Sequence, residues 1–490
     1  AELLEVPDNA IRAALKLELD AGTVMADTVE NTPCAFLGSL YRAEQRIAER
    51  LVELAGAEPP WPPIDVDRAL ERAEKETGLA LAPQQAEAAR LALTSKATIV
   101  TGGPGVGKTT LIDTILRILS AKGVDLRLCA PTGRAARRMT EATGMEAMTI
   151  HRLLEVDPAT GSFKRNTGNP LDCDLLVVDE TSMVDVMLMR ALLDAVPGRA
   201  ALLIVGDTDQ LPSVGPGQVL ADMIASDAVP VVRLTEVFRQ AARSRIVTSA
   251  HDINRGVIPD LSRQERESEF HFSKAEEAET AAARIIELVK TRIPEGFGLD
   301  PLEDIQVLCP MNRGAAGARS LNVQLQTALN PSRERQVERF GWTFAAGDKV
   351  MQTVNDYRRD VYNGDTGTIT EVNPDTGELT ARFHGEGHVY AFGDLDALVP
   401  AYAMTVHKSQ GSEYPAVVIP MLSEHYIMLQ RNLLYTALTR AKQLVVLVGQ
   451  KKAVAIAVRN ATGRRRWSKL DEWLRAAEGR RTHEQRTEGN

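Results

Sequence analysis

From about residue 98 onward, short apolar runs rich in β-branched residues alternate with helix-length segments. The first set is Thr98-Ile99-Val100-Thr101, Leu126-Arg127-Leu128-Cys129-Ala130, Leu175-Leu176-Val177-Val178 and Ala201-Leu202-Leu203-Ile204-Val205. Such runs leave almost no polar face for solvent, so they predict strands covered on both sides, as in a parallel α/β sheet. A second set, Ile305-Gln306-Val307-Leu308, Ala416-Val417-Val418-Ile419 and Leu444-Val445-Val446-Leu447-Val448, predicts a second unit of the same kind. Between these strands, residues 346–395 carry Gly364, Gly367, Gly377, Gly385, Gly387 and Gly393. They also alternate Leu379, Ala381 and Phe383 with polar residues after the turn Asn373-Pro374-Asp375-Thr376-Gly377. That rhythm predicts a small all-β barrel inserted into the second unit.

Residues 1–57 read as helical with one short irregular insert. Ile11, Leu15, Leu17 and Leu19 are apolar, Ala21-Gly22 breaks the pattern, and Leu40, Ile47, Leu51 and Leu54 resume helical spacing. Pro59, Pro60, Pro62 and Pro63 around Trp61 cannot continue a helix and predict a stiff linker. The chain opens at Ala1 inside what reads as a helical module, so a longer parent chain is expected. Residues 155–173, with turn signals at Asp157-Pro158 and Thr160-Gly161, predict a hairpin insert. The expected layout is a helical N-terminal module with linker (1–75), a first α/β unit (76–240), a second (241–345 plus 396–475), the inserted barrel (346–395) and a flexible, solvated tail (476–490).

Composition narrows the classes. At 490 residues, 44% hydrophobic and 25% charged, the chain is neither disordered nor fibrous. No apolar stretch is long enough for a membrane span, and the first thirty residues lack a signal-peptide layout. Cys34, Cys129, Cys173 and Cys309 lie far apart without a CxxC pair, which fits a reducing cytoplasm and argues against zinc. The net charge of −9 disfavours a globally basic surface that coats nucleic acid. Residues 1–60 hold five basic and eleven acidic residues, however, so most of the acidity sits in the N-terminal module. The remainder is nearly balanced, and a local nucleic-acid path stays open.

Candidate chemistry begins at Gly102-Gly103-Pro104-Gly105-Val106-Gly107-Lys108-Thr109, with a strand before it and an apolar helix pattern after it. Glycines let backbone N–H groups face phosphates, and the helix N-terminus adds partial positive charge. Lys108 is expected to reach the β- and γ-phosphates and Thr109 to ligate Mg²⁺. Gly103, Gly105, Val106, Gly107 and Thr110 complete the expected nucleotide cradle. Asp179 and Glu180 leave the end of a buried strand, placing one carboxylate for the Mg²⁺ shell and the next as general base for water. These residues imply binding and hydrolysis of a nucleoside triphosphate.

Further motifs carry a resemblance. They are Gly206-Asp207-Thr208-Asp209-Gln210-Leu211-Pro212, Phe238-Arg239-Gln240, Thr405-Val406-His407-Lys408-Ser409-Gln410-Gly411 and Tyr435-Thr436-Ala437-Leu438-Thr439-Arg440. With Ala130-Pro131-Thr132-Gly133-Arg134, Thr149-Ile150-His151-Arg152, Gly347-Asp348-Lys349-Val350-Met351 and Asn363-Gly364-Asp365-Thr366-Gly367, they resemble superfamily 1 DNA helicases of the RecD-like branch, over roughly residues 80–450. Each string is weak alone; their shared order is specific.

The resemblance implies two RecA-like domains, an SH3-like inserted barrel, ATP with Mg²⁺, and 5′→3′ movement on single-stranded DNA in repair or recombination. It implies that Gln85 reads adenine and that Gln210 links the γ-phosphate to DNA. Arg239 and Arg440 then enter the cleft from opposite sides. It places DNA along Thr132, Arg134, Thr149, His151, Asn312, Arg313, Thr405, His407 and Ser409. Mostly small polar groups suit backbone contacts at single strands and junctions without sequence readout, and no dense aromatic stacking platform is evident. The hairpin insert is then expected to split the duplex. The Leu40-Tyr41-Arg42-Ala43-Glu44-Gln45 segment leans toward the stand-alone type, a monomer with a possible protein partner at its N-terminal module. Two rivals stay open: translocation without unwinding, and a non-motor P-loop switch.

Overall fold

The computed structural model describes residues 6–157, 160–236, 243–262, 268–332, 335–461 and 466–488. The first α/β unit is a six-stranded parallel sheet. Its spatial order is Ala147–Thr149, Leu126–Ala130, Leu175–Val178, Ala201–Gly206, Ala97–Gly102, Val231–Leu234. Successive strand residues feed opposite cores. Val100, Leu175, Val177 and Leu203 pack under the helices Pro83–Thr94, Lys108–Ser120 and Gly133–Thr143. Ile99, Leu176, Val178 and Leu202 pack under Gly38–Ala55, Val186–Ala195 and Val219–Ser226. Both faces being covered explains the continuous apolar runs.

The N-terminal region departs from the expected helical module. The helix Asp8–Asp20 is followed by a regular antiparallel hairpin, Val24–Val29 with Thr32–Leu37. Its turn residues Glu30 and Asn31 have φ of +48° and +65°, the left-handed pair of a two-residue hairpin turn. Gly38–Ala55 buries Ile47, Leu51 and Leu54 in the core of the first unit, so this helix is part of that unit. The Pro-rich segment also packs: Trp61 is buried and donates from Nε1 to the Leu93 carbonyl at 2.9 Å.

The end of the chain differs as well. Residues expected as second-unit chain and flexible tail form one helix, Leu470–Glu488, whose Leu470, Leu474 and Ala477 join the first unit's core. Lys469 anchors the entry to this helix on Asp27 at 2.7 Å. Hydrogen bonds from Lys469 and Tyr41 hold the Asp27 carboxyl down at about 2.

The second unit is a five-stranded parallel sheet ordered Ala403–Thr405, Ile305–Cys309, Tyr414–Met421, Ala441–Gly449, Phe270–Lys274. The inserted sheet is antiparallel, ordered Glu386–Tyr390, Glu378–Phe383, Thr366–Asn373, Lys349–Gln352, Leu398–Pro400. A second hairpin, Gln336–Arg339 with Trp342–Ala345, adds Val337 and Phe344 to its core. The barrel therefore extends past both expected ends, 346 and 395. Residues 155–173 turn back on themselves. Bonds from Arg165 N to Leu154 O and Lys164 N to Glu155 O, and a bridge between Val156 and Phe163, make a short irregular hairpin. Among the described residues, no helix is long and apolar enough to cross a membrane.

Candidate active site

The loop between Ala97–Gly102 and Lys108–Ser120 has the backbone that its glycines permit. Gly105 and Gly107 have φ of +73° and +77°, where a side chain would be strained. Lys108 folds back on the loop, donating from Nζ to the carbonyls of Gly102 at 2.5 Å and Gly103 at 3.0 Å. Gly103 is crowded from the second unit: a Cβ there would lie 2.8 Å from Tyr435 Oη and 3.3 Å from His251 Cε1. Val106 is buried, and Thr110 lies in the first turn of the helix, its carbonyl accepting from Thr114.

Gln85 holds this loop. It is buried, donates from Nε2 to the carbonyls of Val106 at 3.1 Å and Gly107 at 3.2 Å, and accepts at Oε1 from Ala82 N at 2.9 Å. Both of its amide protons are engaged by the P-loop backbone, so reading adenine would require them to change partners.

Asp179 and Glu180 share a cavity of about 320 Å³ with Thr109, Arg138, Glu413 and Lys442. Burial, then the neighbouring Glu180 charge, pushes the Asp179 carboxyl up. A cation at this carboxylate offsets both effects, so Thr109 and Asp179 fit a Mg²⁺ site by donor type and by charge. Glu180 has φ of +50°, a left-handed conformation rare outside glycine. Its carboxylate is 3.8 Å from Arg138, which also pairs with Glu413 at 2.7 Å.

A buried polar network closes the cleft between the two units. Gln210 donates to Asp207 at 3.1 Å, Tyr435 donates to the same Asp207 oxygen at 2.9 Å, and Arg440 donates to Gln210 Oε1 at 3.1 Å. Arg440 also donates to the Ser412 and Thr436 carbonyls. Thr436 Oγ1 accepts from Leu211 N at 2.8 Å, and Gln410 donates to the Leu211 carbonyl at 3.0 Å. Burial beside Asp207 pushes the Tyr435 hydroxyl strongly up. Arg239, the other arginine implied by the resemblance, lies outside the described residues.

The residues expected along DNA divide into two groups. Asn312 and Thr405 line one cavity with the exposed Lys408, and Arg313 is exposed beside them. His151 and His407 are part-buried, which lowers the pKa of each; His151 packs against Phe163 of the hairpin insert at 5.7 Å between centroids. The second group is engaged internally. Thr132 and Thr149 cap helices, accepting from Ala135 N and Arg152 N. Ser409 is fully buried and donates to the Val406 carbonyl at 2.8 Å. Arg134 binds Ser412 at 2.6 Å, Tyr414 at 2.8 Å and Thr366 at 2.8 Å, joining all three units. Thr132, Arg134, Thr149 and Ser409 thus make fold-internal bonds in this structure.

Asp207, Tyr435, Thr436 and Arg138 belong to the site yet were not singled out from sequence. Asp207, Tyr435 and Thr436 stand inside quoted motifs, and only three-dimensional proximity shows that Asp207 meets Tyr435.

Comparison with known proteins places the chain in a family. Family models match residues 85–216 (AAA domain), 321–383 (ATP-dependent RecD-like DNA helicase SH3 domain) and 400–448 (UvrD-like helicase C-terminal domain). The chain is 36% identical over 422 residues to an ATP-dependent RecD2 DNA helicase of Deinococcus radiodurans, covering 86% of this chain and 56% of that protein. It thus spans little more than half of that relative. It is 34% identical over 468 residues to the RecBCD enzyme subunit RecD of Mycolicibacterium smegmatis, covering 88% of this chain and 81% of that one. A solved structure of Bacteroides Pif1 helicase with ADP-AlF3 and ssDNA aligns with a TM-score of 0.47 at 19% identity, over 75% of this chain and 92% of that one.

Proposed function

Because the chain belongs to the RecD-like family of superfamily 1 DNA helicases, we propose that it is an ATP-driven motor that moves 5′→3′ on single-stranded DNA and unwinds duplex ahead of it. The observation that carries this reading is the network Asp207–Gln210–Arg440. It ties the wall of the phosphate cleft to a second α/β unit that bears the residues Asn312, Arg313 and Thr405. A nucleotide switch needs no second unit; a motor needs one that moves.

The residues divide the work as follows. Lys108 exchanges the Gly102 and Gly103 carbonyls for phosphate oxygens. Thr109 and Asp179 hold Mg²⁺, which when bound supplies charge neutralisation on the phosphates. Glu180 accepts a proton from the attacking water, and Arg138 sets the charge around it. Arg440 exchanges Gln210 for the γ-phosphate, which couples hydrolysis to movement of the second unit. Arg239 supplies the second guanidinium by resemblance. Both walls of the described cleft are built by residues of one chain, which supports a monomer. The four cysteines are unpaired, which supports a reducing, cytoplasmic setting, and the RecD-like family supports a role in DNA repair or recombination.

ATPase activity measured with and without single-stranded DNA tests this reading. Strong stimulation is expected; hydrolysis indifferent to DNA supports the switch instead.

A further inference from the structure

A cavity of about 420 Å³ lies between the second unit and the inserted barrel. That volume is in the range of small-molecule and base pockets. Asn312, Thr405 and Lys408 come from the second unit, Arg319 from the helix Ala318–Leu329, and Phe340 and Trp342 from the hairpin that extends the barrel. Among the described residues lining it there are two cations and no carboxylate. Two rings, two cations and short amide or hydroxyl groups make a surface for a planar, negatively charged partner.

The aromatic wall is held in place. Phe340 sits at the hairpin turn with φ of +51°, followed by Gly341 at +74°, so the turn presents its ring outward and 62% exposed. The guanidinium of Arg339 lies 4.3 Å from the Phe340 ring centroid, and that of Arg319 lies 5.4 Å from Trp342. A cation on one face of a ring fixes its plane and leaves the other face for a π-partner. An exposed ring in a cation-lined cavity gains by being covered with a base, and base–aromatic stacking tolerates any sequence.

We propose that this cavity takes one unstacked nucleobase of the single strand, stacked on Phe340 and Trp342, with the adjoining phosphate held by Lys408 and Arg319. The inference rests on the DNA-motor reading, since Asn312 and Thr405 share the cavity. It adds a grip on the base to contacts otherwise made with the backbone, and the grip is shared by the barrel and the second unit.

The test is fluorescence anisotropy on the full chain with two labelled oligomers of equal length and charge, oligothymidylate and its abasic counterpart. The wild type is expected to bind oligothymidylate about tenfold more tightly. Phe340→Ala loses most of that preference, with abasic affinity unchanged, while Lys408→Gln weakens both equally. Because the Phe340 side chain is exposed, its loss leaves the core intact, and unchanged DNA-free ATPase confirms folding. A Phe340→Ala variant that keeps the wild-type preference overturns the stacking site. So does a wild type that shows no preference while its ATPase still responds to DNA. A wild type that binds neither oligomer overturns the DNA reading itself.

Discussion

Arg440 donates from Nη2 to Oε1 of Gln210 at 3.1 Å, joining the second α/β unit to the first across the phosphate cleft. Both side chains are buried, so the bond sits where water does not compete with it. Arg440→Ala should lower DNA-stimulated turnover by ~10³-fold, the scale expected of an arginine that stabilises phosphoryl transfer. Gln210→Ala should instead keep DNA-independent hydrolysis and lose most of the stimulation. Steady-state ATPase on both variants reads the difference, and equal stimulation in Gln210→Ala and wild type contradicts the coupling role.

Among the described residues Lys108 has no acidic partner, only two loop carbonyls that a phosphate can replace. Lys108→Ala should cut ATPase by at least ~10²-fold, comparable to removing one preorganised donor, and leave single-strand affinity within a few-fold of wild type. Hydrolysis that persists at the wild-type rate would remove the P-loop from the mechanism.

Gln85 makes three hydrogen bonds, two of which brace the P-loop. Gln85→Ala leaves two loop carbonyls without a partner, at a cost of about 1–3 kcal/mol. The KM for ATP is expected to rise about tenfold, and the KM for GTP with it. If the KM for ATP alone rises, the amide reads adenine rather than shaping the loop.

The docked C-terminal helix should make stability depend on pH. Ser468 Oγ lies 2.8 Å from Glu44 and 2.7 Å from Asp222, yet a hydroxyl has one proton to donate. Burial pushes both carboxyls up, Asp222 to about 6. A folded pKa above the unfolded value means the folded state holds the proton longer. This contribution is complete below about pH 4 and is lost as pH rises toward 6. Asp222→Asn should therefore raise the melting temperature at pH 8 and leave it unchanged at pH 4. Thermal melts at the two pH values check this, and equal shifts at both would exclude the proton.

The two parallel sheets were legible because their central strands, such as Leu175–Val178, are apolar at every position. The edge strands Ala147–Thr149, Val231–Leu234, Phe270–Lys274 and Ala403–Thr405 were missed, being short and carrying polar or charged residues. The hairpin Val24–Leu37 looked like an irregular insert because its turn is Glu30-Asn31, without the glycine that usually flags such turns. At the site, the glycines, Lys108 and the Asp179–Glu180 pair form contiguous strings with one chemistry. Asp207 meets Tyr435 across 228 residues of chain, and no local pattern carries that. The motif of Arg134 suggests a DNA contact, and in the fold three oxygen acceptors from the other units bind its guanidinium. No spacing rule distinguishes those uses.

Strand separation of a short duplex bearing a single-stranded tail on either its 5′ or its 3′ side, with ATP, tests the motor reading most directly. The 5′-tailed substrate should open and the 3′-tailed one should not, with no opening when ATP is withheld. Opening of the 3′-tailed substrate alone, or of neither while ATP is hydrolysed, would contradict it.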